Sequence, residues 1–573
     1  MCGLAGVVDF ARPVEAWSEH LAAMQSLLRH RGPDGEGAWQ QGHCGLVHTR
    51  LAIVDPAGGH QPMASWDARF HLVFNGEITN YGELAERLDY PFRTRSDTEV
   101  LLAAWHRWGP ACTQYLNGMY AFFIWEPAAE RGWLVRDALG VKPALYRRLG
   151  RGIAFASEAR ALNAGRLDPE RFAEWAVMPS MSGAVLEGVE SVPAGHGLRI
   201  DRTGAVVVPM AQMTSDRTLE DAVARGVALH AAADVPVGVF LSGGLDSAIV
   251  ATGAAPCLAY TVRFQDQDTF DYSRSLITRS DDTPFARLVA DELHLDHVIV
   301  DVRRDQLAAD LAAISTINDA LPAWEQEIAQ HRLSRAASQD VKVVLVGDAA
   351  DETHWGYDFL LDDVVCASPE AVLDRFGAPR RLAFLARPEP DLLSRLAATY
   401  RAEAAAEGLS WSDVASGRRA LNGLVRRRWL GRLLHNGDVH TMAYGLEARV
   451  PFADAEILAA AARVPAECGY VGGVEKAALR AAAPALTPSA VRWRKKSALP
   501  KDQNCGGIYR AEALRLLDGA ADYFDPDAIS TLARQNTRLS EEQRAILFAS
   551  IAVAHFAAQH LTTSAPFANL PRL

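Results

Sequence analysis

Residues 1 to about 210 carry short apolar segments bounded by Gly, Asp, Asn or Pro, which is the pattern of β-strands. Two amphipathic stretches interrupt these segments and predict helices, around EAWSEHLAAMQSLLRH and DTEVLLAAWHRW. Strands grouped around a few helices predict an α+β layered domain that ends near VPAGHGLRIDRTGAVVVP. The predicted strands are GLAGVVDF, GLVHTRLAIVD, FHLVFNGEI, AFFIWE, GWLVRD and GIAFASE.

From about residue 220 predicted strands and helices alternate. The strands are VPVGVFLSGG, CLAYTVRF, DHVIVDV and VKVVLVGD, and the helices between them are LDSAIVATGAA, TPFARLVADELH and EQEIAQHRLSRAAS. This alternation predicts right-handed crossovers and a parallel sheet that binds ligands at the carboxyl ends of its strands. Beyond about residue 380 the chain is rich in Ala and Arg and is predicted to be helical. The segment TTSAPFANLPRL at residues 562–573 is predicted to be a loose tail.

Composition narrows the function classes. A chain of 573 residues exceeds the size of a single core, so more than one domain is expected. The formal net charge of −12 argues against a nucleic-acid binder or a binder of anionic membranes, whose footprint is basic. The seven cysteines show no metal-ligand spacing, and their odd number indicates reduced thiols. No secretory signal or membrane-span pattern is evident, so we expect a cytoplasmic protein.

The segment LSGGLDS, Leu241 to Ser247, follows a predicted strand and opens a predicted helix. Gly243 and Gly244 let the backbone present N–H groups to an anion, and the helix amino terminus favours negative charge. Asp246 would repel phosphate unless Mg²⁺ lies between them. The segment lacks the Walker pattern, so it predicts a different phosphate loop. The alternative is a glycine-rich turn that serves packing alone.

Cys2 is the second informative position. If Met1 is removed, Cys2 carries both a thiol and a free amine, and the amine is a suitable base for the thiol. The start MCGLAG is similar to that of the N-terminal-nucleophile glutamine amidotransferases, and SGGLDS resembles the loop of ATP pyrophosphatases. Together, in this order, they resemble the asparagine synthetase family over nearly the whole chain. Other family-like segments are RHRGPDGEG, HTRLAIVD, FNGEITN, RSDTEV, LNGMYAFFIWE, VRDALGVKP, SEARAL, VGDAADE, GLEARVPFAD and EKAALRAAAPAL.

The resemblance implies a fold in two parts. Residues 1–210 would form an α+β N-terminal-nucleophile sandwich of the αββα type, acting as a class II glutamine amidotransferase. Residues 211–573 would form an α/β parallel-sheet ATP-pyrophosphatase domain with a helical carboxy-terminal part. It also gives a homodimer as an expectation.

In the first domain the resemblance implies that Cys2 attacks the side-chain amide of glutamine and forms a glutamyl thioester. In the expected glutamine site, Asn75 and Gly76 form the oxyanion hole and Arg50 binds the substrate carboxylate. Glu77 and Asp97 hold the α-amine, and the backbone of Ile53 and Val54 completes the pocket. The structural alternative makes Arg50 and Asp97 a salt bridge and Asn75-Gly76 a hairpin turn.

In the second domain the resemblance implies that a carboxylic acid attacks the α-phosphate of ATP, and that ammonia then displaces AMP from the acyl-adenylate. Asp246 and Asp351 match Mg²⁺ ligands, and Lys476 matches a lysine that neutralises phosphate charge. The catalytic set also includes Asp348. The remaining ATP-binding candidates are Leu241, Ser242, Gly243, Gly244, Leu245, Ser247, Val262, Val346 and Gly347. An apolar interior channel would keep the ammonia uncharged between the two sites.

Three segments depart from the family pattern. Asp348 stands where a glutamate is usual, with Val346 in place of a hydroxyl residue. Trp355 replaces the first glycine of a Gly-Gly-Tyr segment, and Val439 replaces an arginine after Asp438. We interpret these changes as alterations of the acceptor pocket, which leaves the acceptor open between aspartate and a specialised-metabolite carboxylic acid.

Two other functions stay open from the sequence. One is an intramolecular amide-forming cyclase of the β-lactam synthetase or lasso-peptide type, which needs no ammonia. The retention of Cys2, Arg50, Asn75, Gly76 and Asp97 argues against it. The other is a non-catalytic scaffold that senses glutamine or a nucleotide, supported only by the changes at Val346 and Asp348.

Overall fold

The computed structural model describes residues 2–256, 258–272, 280–483, 485, 487–489, 491–561 and 565–567. Over this part of the chain, no helix combines the length and the apolar character needed to cross a membrane. The six described cysteines are free thiols, and Cys257 lies outside the described residues.

The amino-terminal portion contains two six-stranded antiparallel sheets. The first has the order β10 (Glu190–Ser191), β8 (Leu145–Arg148), β9 (Gly152–Ala156), β1 (Gly3–Asp9), β3 (Cys44–Arg50) and β2 (Gly35–Gln41). The second has the order β12 (Gly204–Pro209), β11 (His196–Asp201), β7 (Arg131–Arg136), β6 (Gly118–Glu126), β5 (His71–Ile78) and β4 (Met63–Ala64).

The side-chain alternation of the strands builds four layers. On β1, Leu4 and Val8 pack toward Phe123 of the second sheet, whereas Ala5 and Val7 belong to the core on the opposite face. The helix α1 (Ser18–Leu27) packs on β1 and β3, and α3 (Asp97–Trp108) packs on β5 and on the helix α2 (Tyr81–Glu86). The layers therefore run helix, sheet, sheet, helix.

The carboxy-terminal portion is built on a five-stranded parallel sheet. Its order is β15 (Asp296–Val302), β14 (Leu258–Phe264), β13 (Val237–Phe240), β16 (Val343–Leu345) and β17 (Glu447–Arg449). The helices that accompany the first four strands are α5 (Leu219–Ala231), α6 (Leu245–Ala254), α7 (Thr283–Glu292), α8 (Leu307–Ile317) and α9 (Glu327–Ala337).

The rest of the chain is mostly helical, as the composition predicts. A helix α4 (Pro169–Val177) lies between β9 and β10 in the chain. A π-helical turn, Val425–Trp429, runs directly into α15. The helices after β16 are α10 (Ala350–Thr353), α11 (Pro369–Arg375), α12 (Ala378–Leu382), α13 (Leu392–Ala406), α14 (Val414–Leu424), α15 (Leu430–Met442), α16 (Ala455–Ala462), α17 (Ala477–Ala482), α18 (Gly506–Arg515), α19 (Leu517–Ala520), α20 (Pro526–Arg534) and α21 (Glu541–His560).

Two sequence predictions are wrong in detail. The strand predicted through residue 55 ends at Arg50, because Leu51 and Ile53 leave the sheet to pack with Val343 and Met442 of the carboxy-terminal portion. The tail is not loose where it is described: Phe567 is fully buried, and its ring lies 6.2 Å from that of Trp17. Residues 562–564 and 568–573 of that segment lie outside the described residues.

Candidate functional site

A small pocket surrounds Cys2, which directly precedes the first residue of β1. Most of the predicted glutamine-site residues line it, and the remaining one, Asn75, contacts Cys2 directly. The lining residues include Cys2, Arg50, Ile53, Val54, Gly76, Glu77, Asp97 and Glu447. The structure therefore assembles in one place a set of residues that are scattered over the first hundred positions, and it adds one residue from the far end of the chain.

Asn75 lies in the middle of β5, so the predicted alternative of a hairpin turn at Asn75-Gly76 is wrong. The Oδ1 atom of Asn75 accepts a hydrogen bond of 2.9 Å from the backbone N–H of Cys2. Its Nδ2 group is buried and has no hydrogen-bond partner among the described residues. A buried amide donor without a partner costs free energy, so its retention beside a thiol indicates a donor reserved for a ligand oxygen.

Arg50 is held by main-chain oxygens. Its Nη1 and Nη2 atoms donate to the carbonyl groups of Pro56 at 2.7 Å and Asp55 at 2.8 Å. In the described part of the chain no carboxylate forms an ion pair with Arg50, so the predicted salt bridge to Asp97 is not formed. The guanidinium is thus positioned without being neutralised, which suits it to bind a ligand carboxylate.

Three carboxylates meet at the opposite side of this pocket. Burial, with the charges of Asp97 and Glu447, raises the pKa of Glu77 to about 8, although Arg449 lies 3.0 Å away and opposes the shift. Burial also raises the pKa of Asp97 to about 6. Burial alone would raise the pKa of Glu447, but nearby positive charges, including Arg449, lower it to about 2. A cation is the ligand that such a group stabilises.

The strand β17 contributes to two sites through its alternating side chains. Glu447 lines the pocket of Cys2, and Arg449 donates to Glu77 there. Ala448 and Val450 instead line a larger cavity on the other side. Because successive side chains point to opposite faces of a strand, three residues suffice to form the partition between the two sites. No local pattern in the segment GLEARVPFAD distinguishes the residues that face the pocket of Cys2 from those that face the larger cavity, so the sequence alone does not predict these positions.

The larger cavity has a volume of about 530 Å³ and lies at the carboxyl ends of β13, β14 and β16. The predicted residues that line it are Leu241, Ser242, Asp246, Ser247, Val262, Val346, Gly347, Asp348 and Asp351. Four other predicted residues stand behind this surface and shape it rather than line it, namely Gly243, Gly244, Leu245 and Lys476.

The loop from β13 to α6 requires its glycine at position 243. Gly243 has a φ of +66°, and a Cβ atom there would collide with the backbone of Ala286. The hydroxyls of Ser242 and Ser247 lie 3.1 Å apart, and Arg494 donates to the carbonyl of Gly243 at 2.9 Å. This geometry supports the phosphate-loop prediction over a turn that serves packing alone.

Lys476 is buried between two carboxylates rather than solvated. Its Nζ atom lies 2.6 Å from Asp246 and 2.7 Å from Asp351. Lys496, which the sequence analysis missed, lies 2.5 Å from Asp351. Burial would raise the pKa of Asp351, but the two lysines hold it far below its usual value. The only sequence signal for Lys496 is its place in a basic run, RWRKKSALP, within an acidic chain.

Asp348 stands near this charged group without a lysine of its own. Burial and the neighbouring charges of Asp351 and Asp246 raise the pKa of Asp348 to about 6, against the opposing effect of Lys496. Three non-glycine residues close to this centre adopt left-handed backbone conformations: Ala349, Trp355 and Lys476. Each such conformation costs on the order of 1–3 kcal/mol, and such strain concentrates at functional sites.

The departures from the family pattern fall into two groups. Val346 and Asp348 line the large cavity. Trp355 instead packs on Gly469 and Tyr470, and Val439 is buried on α15 outside the cavity surface. The interpretation that Val439 removes a cation from the acceptor pocket therefore does not follow from its position.

Residues 218–560, well over half of the chain, match the family described as Asparagine synthase, and residues 1–210 match the Glutamine amidotransferase domain. The chain belongs to the asparagine synthase family. It is an ATP-dependent ligase with glutamine as the amide donor.

Curated relatives agree with this family assignment. Asparagine synthetase [glutamine-hydrolyzing] 3 of Bacillus subtilis is 29% identical, and asparagine synthetase [glutamine-hydrolyzing] 1 of the same organism is 28% identical. A putative asparagine synthetase [glutamine-hydrolyzing] of Mycobacterium tuberculosis strain H37Rv is 30% identical. Each match covers 87% of this chain and 87% of the relative.

Proposed function

We propose that this asparagine synthase-family chain releases ammonia from glutamine at Cys2 and uses it to amidate a carboxylic acid in the 530 Å³ cavity. The observation that carries the proposal is the double role of β17, whose Glu447 lines one site and whose Ala448 lines the other. Two reaction sites separated by one strand suit the transfer of a small molecule. The proposal includes the division into domains 1–210 and 211–573 and an N-terminal-nucleophile fold for the first.

In the first reaction the Sγ atom of Cys2, freed of Met1, attacks the side-chain carbonyl carbon of glutamine. The α-amine of Cys2 accepts the thiol proton and passes it to the departing nitrogen, and the carbon–nitrogen bond breaks to release ammonia. The free Nδ2 donor of Asn75 and the backbone of Gly76 stabilise the oxyanion. Arg50 binds the substrate carboxylate. Water then hydrolyses the thioester to glutamate.

In the second reaction an oxygen of the acceptor carboxylate attacks the α-phosphorus of ATP, and pyrophosphate leaves. The loop around Ser242 binds the phosphates, and Lys476 compensates their charge. Asp246 and Asp351 would hold Mg²⁺, since carboxylate oxygens are the hard ligands that this ion prefers. The described residues contain no cluster of three or more His, Cys, Asp or Glu side chains that could hold a metal ion. Bound Mg²⁺ would stabilise the charge on the departing pyrophosphate.

Ammonia leaves the pocket of Cys2 on its apolar side, which Leu51 and Ile53 line. Leu51, Ile53, Val343 and Met442 form a buried cluster beside the pocket of Cys2. An apolar path disfavours ammonium and so keeps the nucleophile uncharged. Ammonia attacks the acyl carbon of the adenylate, AMP leaves, and the amide forms.

The complete glutamine pocket disfavours an intramolecular cyclase, because ring closure needs no ammonia. The family match disfavours a non-catalytic scaffold, because the curated relatives are named as glutamine-hydrolyzing synthetases. The homodimer and the cytoplasmic location remain predictions from the sequence.

The test compares two nitrogen sources. Cys2→Ala is expected to abolish AMP and amide formation with glutamine while retaining both with ammonium chloride. Cys468→Ala, which changes an exposed free cysteine, is the matched control and should behave as the unmodified chain. Full glutamine-dependent activity in Cys2→Ala would overturn the proposal.

A further inference from the structure

One side of the large cavity is an aromatic wall, formed by Trp324, Tyr357, Phe359 and Trp429. The rings of Tyr357 and Phe359 are stacked with centroids 5.1 Å apart, and Trp429 lies 5.7 Å from Tyr357 and from Trp324. Phe376 supports Trp429 from behind at 5.4 Å. These separations are those of favourable aromatic packing, so the wall is a continuous, rigid apolar surface.

The aromatic wall begins near the charged centre and extends away from it. Gly437 on α15 faces Asp348, since a Cβ atom at Gly437 would lie 3.7 Å from its Oδ2 atom. Trp429 precedes Gly437 by eight positions, which is about 12 Å along a helix. Leu433 lines the cavity between them. The two carboxylates of aspartate are separated by roughly 4 Å at ordinary bond lengths, so aspartate would leave most of this surface uncovered.

The charges of the cavity oppose an acceptor with a second carboxylate. Its described lining contains nine carboxylate side chains, three lysines and no arginine. Three of these carboxylates, Asp282, Asp438 and Glu475, pair with arginines behind the lining. A second carboxylate on the acceptor would therefore find no free arginine in the described lining. Lys142 is engaged by the carbonyl of Ala448 at 3.3 Å, and Lys496 by Asp351. Lys495 lines the cavity next in sequence to Arg494, which donates to the carbonyl of Gly243 in the phosphate loop.

At the cavity mouth the apolar surface is already partly exposed. Leu361, which lines the cavity, has 36% of its surface accessible. Trp324 and Tyr357 are also incompletely buried. An apolar ligand would cover this surface and gain the corresponding free energy of desolvation, whereas aspartate would not.

We infer that the acceptor is a monocarboxylic acid with an aromatic or bulky apolar body, which packs on the aromatic wall while its carboxylate reaches the α-phosphate of ATP. This inference rests on the proposed function, since it names the acid that the adenylating site takes. It assigns specificity to Trp429 and Leu361, to which the family resemblance gives no role.

The experiment measures AMP formation by the full chain with ATP, Mg²⁺ and glutamine, using 3-phenylpropanoate, hexanoate and aspartate as acceptors. We expect kcat/KM for 3-phenylpropanoate to exceed that for aspartate at least tenfold. Trp429→Ala should lower kcat/KM for 3-phenylpropanoate about tenfold and leave glutamine hydrolysis unchanged. Because Trp429 also packs on Phe376, Leu361→Asp serves as a second variant, whose exposed position avoids a folding defect. Trp66→Ala is the matched control, because Trp66 is exposed and does not line the cavity.

The outcomes separate the two claims. Preference for aspartate over both apolar acids, or unchanged kinetics in both Leu361→Asp and Trp429→Ala, overturns the inference and leaves the proposed function standing. AMP formation from none of the three acids, with glutamine hydrolysis intact, overturns the inference as well. Loss of the proposed function itself would appear as no pyrophosphate release with any nitrogen source and no glutamate release.

Discussion

Replacement of Asn75 tests the oxyanion site most directly. The Nδ2 group of Asn75 is buried without a partner, whereas its Oδ1 atom already accepts from Cys2 N–H at 2.9 Å. In Asn75→Ala both functions are lost. In Asn75→Asp the acceptor is kept and the N–H donor is lost, so comparing this variant with the unmodified chain isolates the donor, and comparing it with Asn75→Ala isolates the acceptor. Both should fail at the step in which negative charge develops on the substrate oxygen.

The expected magnitude follows from the position of this donor. Loss of one preorganised donor at an oxyanion typically lowers kcat by about 10²–10³, which corresponds to about 2.7–4 kcal/mol. We expect a loss in this range, because Asn75 is fully buried and water cannot replace its N–H group. The KM for glutamine should change little, because Arg50 and Asp97 still bind the substrate.

The assay follows glutamate release from glutamine and, separately, amide formation with ammonium chloride. Both Asn75 variants should lose the first activity and keep the second. A kcat for glutamine hydrolysis within about threefold of the unmodified chain in either variant would refute the reasoning. So would an equal loss of the ammonia-dependent reaction, since that would indicate a folding defect.

Three further predictions concern the charged groups. The KM for glutamine should rise about tenfold per pH unit below about 6, because the raised pKa of Asp97 makes this carboxylate neutral there, so that it no longer attracts the substrate ammonium. Asp97→Asn should remove that pH dependence of KM. A pH dependence that persists in this variant would contradict the assignment. Glu447→Gln should raise the KM for glutamine about tenfold and spare ammonia-dependent synthesis, and an unaltered KM would argue against a role in this pocket. Lys476→Met should lower AMP formation at least 100-fold, measured by chromatography, with glutamine hydrolysis retained as the internal control.

Much of the molecule follows from local sequence. The strand β15 and the helix α3 have the bounds that the pattern of apolar and polar positions predicts. The loop at Leu241 to Ser247 carries its own signal, since glycine at a positive φ and two serines act within seven residues. The position of Cys2 at the chain start is likewise visible without a structure. Features that depend on neighbouring residues alone can therefore be predicted from the sequence.

Only the tertiary structure decided which distant residues share a site. Glu447 enters the pocket of Cys2 and Lys496 joins Asp351, yet neither residue stands in a pattern that predicts its partner. The strand β17 is three residues long, too short for periodicity to reveal, and it is placed by pairing with β16 across a hundred residues. The aromatic wall is assembled in the same way, with Trp324 from a loop, Tyr357 and Phe359 from the start of the 3₁₀ helix Asp358–Leu361, and Trp429 from the π-helical turn. Burial and charge neutralisation act through space, so these contacts depend on how the whole chain packs.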